Sequence, residues 1–394
     1  MKRIVKVLTG NEHGGAANAS EWLIDGIISR NEESLSFNII MLSHGSFANH
    51  ISSKYPSHTI ILPLSEPPVI GKGPFMIRIC HTLLLLLWFI RAFFFLSVAL
   101  KRQKYNLIHT TNNHALIVCS MYRLFHSIPV ATHWRRIGGV GGKLETWLTS
   151  HVDYIYCISE AVLKSLPDSW YEKCSIIYDG CDVQKLVNDG ATYRGELRKY
   201  LNISPDVFLF GTIGTYTQVK CHSLLIESCH LLKLHNPDLD FRCVLFGSCP
   251  NLSCKLYLEN LKEKIHNYGL DKYVIPILDD ELARPALLLG DLDVFVGSTW
   301  YEGRGEGFGL IYVEALAQGV PTLAISVGAA PEIITKQVGI LASDNSAKQH
   351  AVILEELSND VYRTNFDSGF IRDYAFKFDI SNTVSGVLKK YGLK

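Results

Sequence analysis

Apolar residues along the first half of the chain gather into short runs separated by polar, glycine-containing turns. They are Ile4–Leu8, Phe37–Leu42, Thr59–Leu62, Leu107–Thr110, Val130–His133, Tyr154–Ile158 and Ser175–Tyr178. Runs of roughly four to eight such residues read as buried strands. Between most of them apolar residues recur at helical spacing, as at Trp22, Leu23, Ile27 and Ile28. Strands alternating with helices are the pattern of a doubly wound parallel sheet. A polar stretch from Gln184 to Leu201 follows, and the alternation then restarts at Phe208–Gly214. It continues through Arg242–Pro250, Val274–Leu278, Val294–Gly297 and Thr322–Ile325, and beyond Ile340 the chain reads as mostly helical. The pattern predicts two α/β domains with a boundary near Asp182 to Pro205.

One segment of the second half also carries chemistry. Ser298–Glu332 reads STWYEGRGEGFGLIYVEALAQGVPTLAISVGAAPE and follows the apolar run DVFVG. It predicts a strand, a glycine loop, a helix over Leu310–Gln318 stopped by Gly319 and Pro321, and a returning strand. In parallel sheets ligands bind outside the carboxyl ends of strands. Gly305, Gly307 and Gly309 let the main chain approach a ligand, and the free N–H groups of the helix start attract an anion such as phosphate. Glu306 and Glu314 place one carboxylate in the loop and a second inside the helix. Carboxylates repel an anion but accept strongly from sugar hydroxyls. The set suits a sugar attached to a nucleotide. The plainer reading is a helix start with acidic residues favoured by the macrodipole.

EGFGLIYVEALAQGVPTLA resembles the donor-site signature of retaining GT-B glycosyltransferases of the family 4 type, the glycosyl transferases group 1. The resemblance implies two facing Rossmann-like domains with a cleft between them. Residues 1–182 would hold the acceptor and 183–377 the nucleotide-sugar, with 378–394 packing back on the first domain. It also implies that Glu306 meets the transferred sugar, that Phe308, Gly309 and Leu310 meet the diphosphate, and that Glu314 holds the ribose. Two departures are visible. The approach GSTWYEGRGEGFGL is longer than usual and contains Arg304, and the segment SIIYDGCD has Asp179 where the family has asparagine.

Further candidates fall at the other strand ends. The loop NEHGGAANAS after the first strand contains Gly14 and Gly15, which in similar enzymes face the donor diphosphate and the acceptor, or here simply turn the chain. HWRRIGGVGG places His133 at a strand end; similar enzymes have a histidine there near the sugar, and the alternative is a hydrogen-bonded structural histidine. Arg135 and Arg136 either clamp a phosphate of the acceptor or coat the surface. Lys220, before the helix through Leu224, Leu225, Cys229, Leu231 and Leu232, can neutralise a departing diphosphate. Its neighbourhood resembles the family's glycine, arginine, loop, lysine, glycine element around Gly214. Thr215 stands in the arginine's place and Cys221 in the second glycine's, so Lys220 acts alone or Arg304 substitutes.

Composition narrows the function further. Thirty-eight basic residues balance 38 acidic ones in a chain of 394, so nothing attracts nucleic acid globally. The 10 cysteines form no CxxC pair; those in apolar runs, Cys119, Cys157 and Cys243, read as buried free thiols, which favours a cytoplasmic location. Asp238–Asp240 and Asp291–Asp293 are D-x-D triplets, but each precedes a strand and reads as an acidic turn rather than a metal site. No metal or other cofactor is required by this reading, the nucleotide-diphosphate sugar being a co-substrate. MKRIVKVLTG reads as a first buried strand rather than a signal peptide.

Phe75–Leu100, FMIRICHTLLLLLWFIRAFFFLSVAL, is the most apolar stretch. A span needs about 20 uninterrupted apolar residues, and Arg91 falls within the strongest window, with Arg78 and Lys101 at its flanks. The first reading is a buried or partly exposed covering helix, the second in-plane attachment to a membrane, and the third a transmembrane span. The expected activity is transfer of a hexosyl group, with retention, from a nucleotide-diphosphate sugar to a glycan or lipid-linked acceptor. The resemblance places it in surface polysaccharide or glycoconjugate biosynthesis, in the cytoplasm or at the inner face of the cytoplasmic membrane. A nucleotide-sugar epimerase or hydrolase, and a non-catalytic partner subunit, share the same sequence features.

Overall fold

The structure is a computed structural model and describes residues 1–12, 14–68, 75–138, 142–278, 285–300 and 304–393. His13, part of the glycine loop at 139–141 and residues 301–303 of the long approach to Glu306 lie outside the described residues. The chain forms two compact units: Met1–Asp179 with Ile380–Lys394, and Gly180–Asp379.

The first unit holds strands β1 (Lys2–Leu8), β2 (Leu35–Met41), β3 (Thr59–Ile61), β4 (Leu107–Thr110), β5 (Val130–Trp134), β6 (Tyr154–Cys157) and β7 (Cys174–Ile176). Their order is β3-β2-β1-β4-β5-β6-β7, with parallel pairing throughout. The second unit holds β8 (Phe208–Ile213), β9 (Phe241–Gly247), β10 (Val274–Leu278), β11 (Val294–Gly297), β12 (Thr322–Ile325) and β13 (Gly339–Ala342). Its order is β10-β9-β8-β11-β12-β13, again parallel. Near-continuous apolar strands are what a sheet covered by helices on both faces requires. In each sheet the winding reverses once, between β1 and β4 and between β8 and β11. Such switch points leave a crevice at the carboxyl ends of the strands, where a ligand fits.

β13 was not foreseen as a strand, and beyond it the chain is mostly helical as expected. The strand is four residues long, too short for a period to show, and Gly339 lies so close to β12 that a Cβ would stand 2.0 Å from the Thr322 carbonyl oxygen. The last helix, Ile380–Lys390, packs on the helix Gly14–Ser29, where Gly26 admits Val384: a Cβ at Gly26 would meet its Cγ2 at 2.5 Å. Val384, Val387, Leu388 and Tyr391 thereby join the core formed by β1, β2 and β4. The cysteines are free thiols, with Cys119, Cys157 and Cys243 buried.

The apolar stretch forms the helix Phe75–Lys101, long and apolar enough to cross a membrane by length and composition, with 28% of its most apolar window buried. Trp88, Ala92, Leu96, Ala99 and Leu100 face the unit, and the Trp88 Nε1–H donates to the Ser65 carbonyl at 2.8 Å. Leu83, Leu84, Leu87, Ile90 and Phe94 are exposed. Phe125, also exposed, lies edge-on to Phe93 and extends the apolar surface. The helix is thus a partly exposed cover, anchored by its carboxyl half. Thermal unfolding tests the asymmetry: Trp88→Ala is expected to cost about 3–5 kcal/mol, whereas lysine at Leu83, Leu87 or Ile90 is expected to change stability by no more than about 0.5 kcal/mol each.

Candidate active site

The glycines around β11 are required first by the protein's own packing. The Tyr312 ring is buried, and a Cβ on Gly297 would lie 2.2 Å from it and one on Gly309 2.6 Å. Gly309 also adopts φ +91°, the left-handed conformation at the start of the helix Leu310–Ala317, which a side chain resists. Gly305 is similarly confined, 2.7 Å from its would-be Cβ to the Val327 carbonyl oxygen. A packing requirement thus stands beside the ligand approach expected of these glycines. Phe308 is buried with its ring 5.7 Å from that of Phe378, and the Ala329 amide donates to the Glu306 carbonyl at 3.0 Å. The loop is therefore fixed on both sides. Among the described residues, neither the Gly309 nor the Leu310 amide donates to another protein group, as expected of an uncapped helix start.

Glu306 sits at the middle of the site. Its carboxylate accepts the Thr299 hydroxyl at 2.7 Å and pairs directly with the Lys220 ammonium. Burial pushes the carboxyl up, but the Lys220 charge and these hydrogen bonds outweigh it and hold Glu306 below the ordinary carboxylate value. Lys220 comes from the loop after β8. Gly214 lets it fold back, since a Cβ there would touch the lysine stem at 3.2 Å. Cys221 takes φ +51°, the left-handed conformation that glycine adopts most readily, and Ser298 Oγ donates to the Lys220 carbonyl at 2.9 Å. Thr215 turns toward β9, its hydroxyl 3.2 Å from that of Ser248. Arg304 is partly buried at the start of the loop. Behind Lys220 the imidazole of His222 is buried against Tyr216, and burial, then Lys220, lowers its pKa to about 4. It backs the loop as a neutral ring.

Glu314, on the same helix as the free amides, has no hydrogen-bond partner among the described residues, and burial raises its carboxyl to about 7. The structure thus brings Glu306, Lys220, Gly214, Thr215, Phe308, Gly309, Leu310 and Glu314 to the β8/β11 switch point. Thr299, Ser298 and His222 belong to the same site. No motif marked them, although serine and threonine directly after a buried strand were a signal that could have been weighed. Three of the four D-x-D carboxylates have protein partners: Asp291 accepts from the Gly195 and Leu197 amides at 2.5 and 2.8 Å, Asp293 pairs with Arg198 at 2.9 Å and Asp240 with Arg242 at 2.5 Å, while Asp238 is exposed.

The remaining candidates lie in the first unit. A cavity of about 390 Å³ opens at the β1/β4 switch point, lined by Thr9, Asn11, Glu12, Asn112, His114 and Arg135 among others, including Arg136. Gly14, at φ +64°, and Gly15 begin the helix beside it. Asn112 donates to Glu12 at 2.7 Å and to Thr9 at 2.9 Å. Arg135 forks onto Asp179 at 2.8 and 3.0 Å and donates to Ser20 Oγ at 2.9 Å and the Ala16 carbonyl at 3.2 Å. These bonds use four of a guanidinium's five N–H groups, so Arg135 is a brace of the cavity wall rather than the free phosphate clamp envisaged. Asp179, the departure from asparagine, is its counter-charge. Arg136 pairs with Glu145 and lies 4.7 Å over the Trp134 ring. His133 is buried in β5.

Two parallel-sheet units, each wound about its own switch point, define the GT-B class, and the chain shares this fold over its whole length with solved members. HepE from Anabaena, solved with UDP and glucose, superposes with a TM-score of 0.75 at 16% identity, covering 100% of both chains. Residues 194–368 match the family Glycosyl transferases group 1. A D-inositol 3-phosphate glycosyltransferase from Paenarthrobacter aurescens is 28% identical over 205 residues, 51% of this chain and 47% of that relative. An uncharacterized glycosyltransferase from Methanocaldococcus jannaschii is 26% identical over 250 residues, 62% of this chain and 61% of its own length. The match thus spans about half to three fifths of the curated relatives. The chain thus has the GT-B fold, and its residues 194–368 match the glycosyl transferases group 1 family.

The raised Glu314 carboxyl has a consequence for the unliganded protein. A carboxyl near 4.5 in the unfolded chain and about 7 when folded binds its proton more tightly in the native state, so stability falls as pH rises from about 4.5 through 7. Glu314→Gln removes that loss. Urea unfolding is expected to show the variant about 1–2 kcal/mol more stable than the parent above pH 7 and no more stable near pH 4.

Proposed function

We propose that the chain is a retaining hexosyltransferase that uses a nucleotide-diphosphate sugar. The observation that carries this reading is the Glu306–Lys220 pair beside the free Gly309 and Leu310 amides. An ammonium and a helix start converge on one place where an anion is stabilised, and carboxylates stand on either side for hydroxyl groups. The diphosphate lies against Gly309 and Leu310, the ribose hydroxyls on Glu314 and the hexose on Glu306. As the bond from C1 to the diphosphate oxygen breaks, its electron pair stays on the phosphate. Lys220 shifts from Glu306 toward that charge. The acceptor hydroxyl bonds to C1 from the same face and passes its proton to the departing phosphate oxygen, which gives retention through an oxocarbenium-like transition state. Lys220 and the helix start supply the positive charge the leaving group needs, and Thr215 leaves that task to them.

The acceptor belongs to the first unit, in the polar cavity at the β1/β4 switch point, where Glu12, Asn112 and Thr9 offer partners for hydroxyl groups. The name of the Paenarthrobacter relative supports a phosphate-bearing or polyhydroxylated acceptor, and Arg136 on the cavity wall is the residue to meet a phosphate. The exposed apolar side of Phe75–Lys101 supports a lipid-linked acceptor reached at the cytoplasmic face of a membrane, in surface glycan or glycoconjugate synthesis.

A thermal-shift screen against nucleotide-diphosphate sugars, followed by turnover with the best binder, tests the donor reading. Glu306→Ala and Lys220→Ala are expected to lower turnover about 10²–10³-fold, and Glu314→Ala to raise the donor KM. Product formed from donor alone at the full rate indicates an epimerase or hydrolase instead; parent-like turnover in the Glu306 and Lys220 variants rejects the site. For the membrane reading, the chain is expected to float with anionic-lipid vesicles and the Leu83→Lys, Leu87→Lys, Ile90→Lys triple variant to sediment. A parent chain that leaves vesicles untouched ends that part.

A further inference from the structure

A polar row crosses the buried middle of the first sheet. β1, β4, β5 and β6 are adjacent, and each contributes one member: Lys6, His109, His133 and Tyr156. All four are 1% exposed or less. The register sets Lys6 opposite His109 and His133 opposite Tyr156. From the turn just after the last helix Tyr391 reaches into this row, its hydroxyl 2.5 Å from His109 Nδ1, and His109 Nε2 lies 3.0 Å from His133 Nδ1. The line ends at His133 Nε2, which is buried and has no hydrogen-bond partner.

The direction of the protons along this line follows from counting donors. A phenol carries one hydrogen, and His109 Nδ1 is the acceptor the structure gives that of Tyr391. If Tyr391 donates, His109 Nδ1 is bare and its Nε2 carries the hydrogen, which is donated to His133 Nδ1. His133 then carries its own hydrogen on Nε2, and only that N–H is left unpaired. The reverse direction strands two groups, the phenol hydrogen and the His133 Nε2 lone pair. Each buried unpaired group costs about 1–3 kcal/mol, so the first direction wins. Both imidazoles are neutral, as counting requires: burial first, then the positive charges of Lys6 and Arg135, push His109 and His133 well below the ordinary histidine value.

We propose that Tyr391 and His109 are positioning residues that lock His133 as the Nε2–H tautomer, making it a fixed hydrogen-bond donor for a ligand oxygen at the carboxyl end of β5. The oxygen is a hydroxyl or phosphate oxygen of a sugar substrate. His133 therefore donates a hydrogen bond and withdraws no proton, so it acts as an orienting group instead of a general base. This extends the functional proposal and rests on it only for the identity of the ligand.

The full chain labelled with ¹⁵N in its histidine rings tests the assignment, because the two ring nitrogens of a neutral imidazole resonate far apart according to which carries hydrogen. The parent is expected to show a single His133 tautomer with the hydrogen on Nε2. Tyr391→Phe keeps the ring packing and removes the hydroxyl, and His133 is then expected to populate both tautomers. A parent spectrum with the hydrogen on His133 Nδ1, or a Tyr391→Phe spectrum in which His133 is unchanged, overturns the proposal. If the variant does not fold, the parent spectrum alone decides the direction. The two readings fail separately: a chain that binds no nucleotide-sugar but shows His133 in the assigned form rejects the donor reading, not the relay.

Discussion

The contact between Lys220 and Glu306 joins two loops that the chain makes far apart, one after β8 and one after β11. Taking both charges from water is costly, and their mutual attraction repays it only with good geometry and further hydrogen bonds. The structure provides these through the Thr299 hydroxyl on the carboxylate and the Ser298 hydroxyl on the lysine's own carbonyl. Removing either partner leaves the other as a partly buried charge without compensation. The pair is thus a constraint on both loops as well as a chemical device, and a diphosphate is the kind of anion that can take the place of Glu306 beside the ammonium.

The first unit solves a related problem differently. Its cavity wall contains Arg135 and Asp179, a bidentate pair that neutralises itself, while the two imidazoles of the row beneath it are kept uncharged by burial. Lys6, in the same row, is fully buried, bonded to the Thr111 hydroxyl at 2.9 Å and lowered by burial to about 7. The second unit therefore presents a strong local field, and the first a wall whose charges are paired. On the proposed function, that division suits an anionic donor in the second unit and a hydroxyl-bearing acceptor in the first.

The loop from Ser298 to Leu310 was legible because several weak signals coincided there: an apolar strand, glycines, two carboxylates at fixed spacing and a glycine-proline exit. The strands were legible because a parallel sheet buried on both faces leaves little polar interruption. β13 was not, since four residues carry no period. The glycines were found for an incomplete reason, because no sequence shows that a tyrosine ring will press on Gly297 and Gly309. Arg135 looked like a ligand clamp because its partner, Asp179, lies far along the chain. Apart from His133, the polar row escaped for the opposite cause: Lys6 in IVKVL and His109 in LIHT are lone polar residues inside apolar runs, and such runs read as buried strands with or without them. Tyr391 had no signal at all, being distant in sequence and placed by the packing of the last helix.

That last helix belongs to the unit that begins the chain, although the whole of the second unit precedes it in synthesis. On the ribosome, Gly180–Asp379 is complete before Val384, Val387 and Tyr391 exist to close the earlier core. Until they emerge, β1 and the helix Gly14–Ser29 expose apolar surface, and His109 lacks its phenol. Nascent chains must hold the amino-terminal half unfinished while the later half matures, so any stall in the final stretch yields a polypeptide with one sound lobe and one open one.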